Sequence, residues 1–362
     1  DPNINFDEKG VCERCNTYNS EILPRWNKGI GKEEELNAIV KKIKIEGKGK
    51  KYDCILGLSG GFDSSYMLHF AVKELGLRPL VFHIDAGWNI SFAEENIKKM
   101  VDKLGVELKV EKINWEEIRD MQLAFFKSGV SHLDTPQDHA FVAVLDNYAK
   151  KYKIKYVLNG GNISTEVIVN PNSWGYWGTD IKHIKDILKK FGTIPMKTYP
   201  FTNVIRRKLI MPYIHGVKVL KLLNYTSYTK KDAEELLVKE YGYVPYKQKH
   251  FEDILTKFLE GYWLPKRFGF DVRKPQFSSL ILTGQMTREE AIKKLNNPPL
   301  KEEEEKILFK LVAEKLKISE KELQSYFEMP LKTYKDYKHQ DYLFDFGAKI
   351  MYSLKLDKLI RK

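Results

Sequence analysis

The sequence predicts an α/β protein: a parallel sheet domain, a helical C-terminal domain and a small N-terminal segment that contains cysteines. Three observations predict it. Short apolar runs alternate with amphipathic helical stretches between residues 52 and 160; the first run ends in a turn rich in glycine and serine; and past about residue 200 the strand signal fades into basic, aromatic-rich helical sequence. Such alternation builds a sheet covered on both faces, with ligands at the carboxyl ends of its strands. The 362 residues accordingly divide into segments 1–50, 51–200 and 201–362, a length suited to two or three domains.

The first segment carries Cys12 and Cys15 in one C-x-x-C. This spacing supplies two of the four ligands of a tetrahedral zinc ion, or it is a pair of ordinary reduced thiols. Only three cysteines occur, which excludes a disulfide framework in a chain this long and suits a reducing cytoplasm. Residues 41–51, KKIKIEGKGKK, hold six lysines and one glutamate and read as an exposed linker. The chain opens at Asp1 without a methionine, so a preceding segment is expected. No apolar run approaches the roughly 18–20 residues of a membrane span, and no signal peptide is evident.

Residues 52–58 form the first buried strand and Asp63–Leu75 the helix after it. Strands follow at 78–85, 106–113 and 154–160, with helices at 91–104, 114–128 and 138–153. Beyond these, Thr287 to Glu290 and Ser319 to Glu322 fit the capping box, and residues 301–306, KEEEEK, read as a solvated helix face. Lys and Arg number 61 against 49 Asp and Glu, a net charge of +12. That excess favours anionic partners such as nucleotide phosphates, nucleic acid or an acidic membrane, or simply keeps the surface solvated.

The chemistry concentrates at Leu58-Ser59-Gly60-Gly61-Phe62-Asp63-Ser64-Ser65, where the first strand meets its helix. Two glycines let the backbone turn and approach a ligand, and the helix start offers unpaired N–H groups and the positive end of its dipole. A polyphosphate suits such a place, each charge-assisted hydrogen bond contributing about 1.5–3 kcal/mol. No lysine follows the glycines, so this is not a Walker A loop, nor is it G-x-G-x-x-G. At the end of the second strand, Asp85 is placed either to meet a nucleoside or to form a turn with Ala86 and Gly87. At the end of the fourth, Asn159-Gly160-Gly161-Asn162-Ile163-Ser164-Thr165-Glu166 brings another glycine pair and a carboxylate. Asp134, Pro136 and Asp138 face the same sheet edge, as pocket walls or as ordinary turn and capping residues.

The loop resembles the SGGxDSS pyrophosphate loop of the ATP pyrophosphatase (PP-loop) superfamily, and residues 159–166 are similar to the GTxNxSE element of NAD synthetases. The resemblance implies cleavage of ATP between its α and β phosphates. Ser59, Gly60, Gly61, Asp63, Ser64 and Ser65 would grip pyrophosphate, Gly160 and Gly161 would meet ATP, and Asp63 and Glu166 would hold Mg2+. The second half, with Lys249-His250-Phe251-Glu252-Asp253, Leu264-Pro265-Lys266-Arg267-Phe268-Gly269, Asp271, Arg273 and Phe277-Ser278-Ser279, is similar to the N-acetyl sugar amidotransferase family. That family converts an acetamido group on a nucleotide-linked sugar into an acetamidino group for surface polysaccharide or flagellin glycans. Val272, Lys274 and Gln276 depart from its pattern, which expects Lys, Arg and His, and Asp253 stands where Ser is usual; these bear on which sugar is taken. In the family a further C-x-x-C precedes Cys12, which implies structural Zn2+.

His250 and Glu252 are candidates to join Asp63 in catalysis, and Lys257, Lys266, Arg267 and Arg273 to bind the sugar nucleotide; their alternative is an exposed, structural helix face. No cysteine follows Cys54, which disfavours sulfur transfer and favours an amine or ammonia as nucleophile. The chain holds no Cys-His-Glu glutaminase, and the family implies two partners: a glutaminase subunit and a barrel-shaped ammonia-conducting subunit like the histidine-biosynthesis pair. No membrane partner is expected. The competing expectation is a tRNA-modifying PP-loop enzyme that uses an amine nucleophile, although a nucleic-acid partner is disfavoured.

Overall fold

The computed structural model describes residues 4–246, 248–344 and 347. Its five strands are Cys54–Gly57 (β1), Pro79–Asp85 (β2), Leu108–Lys112 (β3), Tyr156–Leu158 (β4) and Lys218–Leu220 (β5). They form one parallel sheet in the order β3-β2-β1-β4-β5. The chain moves outward from β1 to β2 and β3, then crosses back to place β4 on the other side of β1. The order therefore reverses between β1 and β4, and the crevice beyond their carboxyl ends is where an open α/β sheet binds ligands.

β1 and β4 carry no charged residue, and β2 is apolar until His83 and Asp85 at its carboxyl end, because both sheet faces are covered. Successive side chains point to opposite faces. Ile55, Leu80, Phe82 and Val157 enter one core, with helices Trp115–Ser128 and Thr135–Lys151. Cys54, Leu56, Val81, Tyr156 and Leu158 enter the other, with helices Glu33–Gly47, Phe62–His69, Ser91–Leu104 and Lys230–Tyr241. Helices Ile254–Phe258, Glu302–Leu316 and Glu320–Glu328 send Leu255, Phe258, Val312 and Leu323 into the first of these cores. The C-terminal helices are thereby fastened to the sheet itself, which brings residues 249–304 to the strand ends.

The helix at 91–104 has the predicted bounds, Ser91–Leu104. Five details differ. The strand signal does not end near residue 200, because β5 pairs with β4 at 218–220; three residues are too short for a period to register. The helix expected over Asp63–Leu75 is α-helical only over Phe62–His69 and widens to a π-helical segment over Phe70–Glu74. The lysine-rich run at 41–51 is helical as far as Gly47, with Val40 and Ile43 buried on its inner face, so only its end links to β1. Within KEEEEK, Glu305 is buried against Lys266 at 2.5 Å rather than solvated. The Thr287 to Glu290 capping box forms in both directions, whereas Ser319 accepts from the Glu322 amide and the Glu322 carboxylate turns instead to Tyr326. Among the described residues, no helix is long and apolar enough to cross a membrane.

Candidate active site

The loop after β1 is shaped by two close approaches. Gly60 has φ +87°, which favours glycine, and a Cβ there would lie 3.1 Å from Ala93. A Cβ on Gly61 would lie 2.6 Å from Glu252 Oε1. The loop is braced from sequence far away. The Tyr243 hydroxyl donates to the Gly60 carbonyl, and the Phe62 amide donates to Tyr246 Oη at 2.8 Å. Ser59 Oγ accepts from the Gly61 amide at 3.2 Å, lies 3.2 Å from Ser64 Oγ, and donates to Glu252 Oε1 at 3.4 Å. His83 Nδ1 meets the Leu58 carbonyl at 2.8 Å, tying the end of β2 to the loop.

The loop after β4 presses against this one: a Cβ on Gly160 would fall 2.7 Å from the Asp63 backbone. The contact delivers Asn162, which caps the short helix Ile163–Glu166 and donates to Asp63 Oδ1 at 3.1 Å. Tyr228 donates to the same oxygen at 2.6 Å. Lys249 Nζ then bridges Asp63 Oδ2 at 2.8 Å and Glu166 Oε1 at 2.5 Å. Burial opposes ionisation of Asp63, but the Lys249 charge and these hydrogen bonds hold its pKa below the ordinary value. For Lys249, burial favours the neutral amine, and the two carboxylates outweigh it and raise its pKa.

Two carboxylates from different strand ends thus converge on one cation-sized position, held here by an ammonium group. Among the described residues no third His, Cys, Asp or Glu joins them to make a closed metal cage. The donor set fits Mg2+, which takes one or two carboxylates and completes its shell with phosphate oxygens and water. Zinc does not fit. Cys12 and Cys15 have Sγ atoms 3.3 Å apart, but no further ligand gathers around them among the described residues.

Two cavities meet at this point. The loop cavity, about 330 Å³, is lined by Ser59, Gly61, Asp63, Ser64, Gly160, Gly161 and Glu166 on its polar side and by Phe141, Leu145, Val157 and Val219 on its apolar side. The second, about 560 Å³, is lined by Lys230, Lys249, Lys257, Arg273 and Lys294 and by apolar residues of the C-terminal helices. Thr165, Lys230, Tyr246 and Lys249 form walls of both.

The predicted site residues separate into three groups. Ser59, Gly61, Asp63, Ser64, Gly160, Gly161, Glu166, His250 and Glu252 line the loop cavity, and Lys257 and Arg273 line the basic one. Gly60 and Ser65 shape the loop from within, Ser65 being fully buried, while Asp85 accepts from the Gly87 amide at 2.9 Å in its own turn. Lys266 and Arg267 lie away from both cavities: Lys266 pairs with Glu305, and Arg267 donates to the Phe327 carbonyl and packs on Trp263 and Phe268. Arg273, although at the cavity wall, spends its guanidinium on Asp271 at 2.7 Å and on the Lys294 and Asn297 carbonyls.

His250 has φ +70°, uncommon for a residue with a side chain. Its Nδ1–H donates to Glu260 at 2.9 Å. Burial lowers its pKa, and Glu260 outweighs that and raises it to about 9. Burial raises the pKa of Glu252, whose Oε2 is buried without a partner. Lys230, Lys249, Tyr228, Tyr243 and Tyr246 were not picked out as site residues from sequence. They come from segments more than 160 residues beyond the loop, and each stands in an ordinary helix or turn context.

Residues 53–161 match the phosphoadenosine phosphosulfate reductase domain, and residues 252–351 match the C-terminal domain of the WbpG-like LPS biosynthesis proteins. Over 83% of its length the chain is 22% identical to an uncharacterized protein of Methanocaldococcus jannaschii, spanning 90% of that protein. It is 26% identical to the NH3-dependent NAD+ synthetase of Methanococcoides burtonii over 149 residues, 40% of this chain and 56% of the synthetase. Among solved structures, the NH3-dependent NAD synthetase of Campylobacter jejuni superposes with a TM-score of 0.33 at 15% identity, covering 73% of this chain and 97% of that one.

Proposed function

The chain belongs to the N-acetyl sugar amidotransferase branch of the PP-loop family, and from that premise we propose that it adenylates the acetamido oxygen of a nucleotide-linked N-acetyl sugar and replaces that oxygen with ammonia. The products are an acetamidino sugar, AMP and pyrophosphate, for surface polysaccharide or flagellin glycans. The coarser assignment, a PP-loop enzyme that uses ATP as a ligase or transferase, follows from the matches to its two halves.

One observation carries the finer reading: the loop cavity and the basic cavity share Thr165, Lys230, Tyr246 and Lys249 as a common wall. An adenine suits the apolar side of the first, which leaves the phosphates along Ser59 to Ser64. A nucleoside diphosphate suits the cations of the second: Lys230 and Lys294, Lys257 beside Glu304, and Lys249 once Asp63 and Glu166 release it, whereas Arg273 is claimed by Asp271. The acceptor amide then meets the α-phosphate at the shared wall. An amide oxygen is a poor leaving group, so it must first attack that phosphate. Pyrophosphate leaves, an O-adenylyl imidate remains, ammonia adds to its carbon and AMP departs.

The loop's hydroxyls and amides and the helix start are fixed before the reaction, so they stabilise the charge that develops on pyrophosphate without reorganising. Mg2+, when bound at Asp63 and Glu166, supplies further positive charge against that leaving group. Lys249, released from the two carboxylates, is within reach of the phosphates. Cys54 is unsuited to carry sulfur: it is fully buried in β1 and burial raises its pKa, which leaves it an unreactive thiol. The nitrogen would come from a glutaminase subunit through a barrel-shaped partner.

The test is incubation with ATP, Mg2+, ammonium and a panel of nucleotide-linked N-acetyl sugars. One of them should lose mass by the difference between O and NH, with equimolar AMP and pyrophosphate. Asp63→Ala should abolish AMP formation while the chain stays folded. A panel in which no sugar changes and none stimulates AMP release would overturn the reading.

A further inference from the structure

A third cavity, of about 540 Å³, shares no lining residue with the loop cavity but is built partly on the same elements. Two structural elements join them. Helix Thr135–Lys151 lines the third cavity with Thr135 and Asp138 and, on its following turns, the loop cavity with Phe141, Val142 and Leu145. The hydrogen-bonded pair His250–Glu260 does the same, His250 facing the loop cavity and Glu260 the third.

The charge of this cavity is opposite to that of the acceptor cavity. Among the described residues its wall holds the carboxylates of Asp134, Asp138, Glu260 and Asp341 and no lysine or arginine. Asp341 is paired with His339. His132, also at the wall, meets His183 at 2.8 Å, and burial pushes it down to about 3, so it stays neutral. Asp138 is exposed to the cavity and accepts no hydrogen bond among the described residues. Glu260 Oε2 is buried without a partner. Trp174, Tyr176, Trp177 and Tyr334 supply aromatic rings, which favour a cation over an anion. A diphosphate is repelled here, and a small cation with several donors satisfies the open carboxylates.

We propose that this cavity takes ammonium and delivers ammonia to the adenylated acceptor: the ion is held between Asp138 and Glu260, gives one proton to Asp138, and crosses past His250 as neutral ammonia. The proposal rests on the amidotransferase reading. In the loop cavity the nitrogen lone pair forms a bond to the imidate carbon, and the carbon–oxygen bond to AMP breaks with its electron pair on oxygen. A proton shift between the two nitrogens leaves an amidinium, so no proton is released there. The proton on Asp138 returns to water through the acidic cavity. Desolvation by the surrounding cavity wall, with Asp134 beside it, raises Asp138 to about 8, a strength suited to taking a proton near neutral pH. Facing it, protonated His250 repels a second cation and passes only the neutral molecule. Asp253, which burial raises to about 6, caps the neighbouring helix Ile254–Phe258.

The experiment uses the whole chain with ammonium chloride as nitrogen source and compares wild type with Asp138→Asn, Asp134→Asn and Glu260→Gln. Pyrophosphate–ATP exchange that depends on the acceptor reads adenylation; amidine formation against ammonium concentration reads nitrogen delivery. Removing one of the two carboxylate charges that hold the ion in the cavity should raise the KM for ammonium about tenfold in Asp138→Asn, with exchange within about twofold of wild type. Ammonium alone, without ATP, should change tryptophan fluorescence saturably, and Asp138→Asn should weaken that response by the same factor. Should Asp138→Asn not fold, Asp134→Asn, whose side chain caps nothing, serves in its place. An unchanged ammonium KM and fluorescence response, with exchange intact, overturn the proposal. Absence of exchange in the wild type with every acceptor overturns the amidotransferase reading instead, while the fluorescence titration still decides whether the cavity binds ammonium.

Discussion

Replacing Lys249 by methionine keeps an unbranched side chain one atom shorter and removes the charge that holds Asp63 and Glu166 together. The two contacts are unequal. Lys249 is 19% exposed and Asp63 18%, so water screens that pair weakly, whereas Glu166 is 38% exposed and its share is largely screened. Removing one partner of a buried ion pair costs about 3–5 kcal/mol, chiefly by stranding the other charge. Tyr228 and Asn162 still donate to Asp63, which places the expected loss at the lower end, about 3 kcal/mol. Urea unfolding near neutral pH, without nucleotide or divalent cation, measures it. A second reading follows from geometry. In wild type, Mg2+ must displace the ammonium to reach both carboxylates; in Lys249→Met it need not, so added Mg2+ should raise the unfolding midpoint more in the variant. A destabilisation under about 0.5 kcal/mol, within the range of ordinary surface changes, together with equal Mg2+ effects in both proteins, would refute the bridging role.

Gly61→Ala places a methyl group 2.6 Å from Glu252 Oε1, so Glu252 must move off the loop; ATP turnover should fall at least about tenfold, as sub-ångström misplacement in a preorganised site allows, with little change in the unfolding midpoint. For His250, Glu260 overcomes the effect of burial and raises the pKa from 6.5 to about 9. The pair's contribution to stability is therefore complete below pH 6.5 and lost as pH rises through about 9. Urea midpoints across that window should fall in wild type and flatten in His250→Gln, with an amplitude reduced by the 41% exposure of the histidine. Arg273→Lys loses the forked contact to Asp271 and the reach to the Lys294 and Asn297 carbonyls; it should lower stability by about 2–3 kcal/mol and leave the KM for the sugar nucleotide within about twofold.

What was legible in the sequence was whatever depends on neighbours along the chain. The alternation of Cys54 to Leu58, Pro79 to Asp85 and Tyr156 to Leu158 with helices announced a parallel sheet, and the strand-to-helix turn with two glycines announced the loop, because strand burial and backbone conformation are local demands. The edge strand β5 was not legible, since three residues carry no period. The site's electrostatics were legible only in part. Asp63 and Glu166 could be paired by their places at adjacent strand ends, but nothing local says that Lys249 lies between them, or that Arg273 is already engaged by a carboxylate two residues away. Basic residues in a helical stretch look alike in sequence; packing decides that Lys257 faces a cavity and Lys266 a buried Glu305.

The division of charge among the three cavities gives these contacts a common logic. A reaction that joins a diphosphate, a triphosphate and an ammonium ion must keep the cation from neutralising itself on the phosphates before a proton is lost. Lysines gather on the acceptor side and carboxylates on the other, where no lysine or arginine faces them among the described residues. Between them stand the loop and His250, whose own charge turns away a cation and admits a neutral molecule. The left-handed backbone at His250 is then a requirement of position: it lets consecutive residues serve opposite neighbours, Lys249 reaching back to Asp63 while His250 turns toward Glu260. Were residue 250 in ordinary extended backbone, one of the two contacts would be lost, and with it either the brace on the loop or the filter beside it.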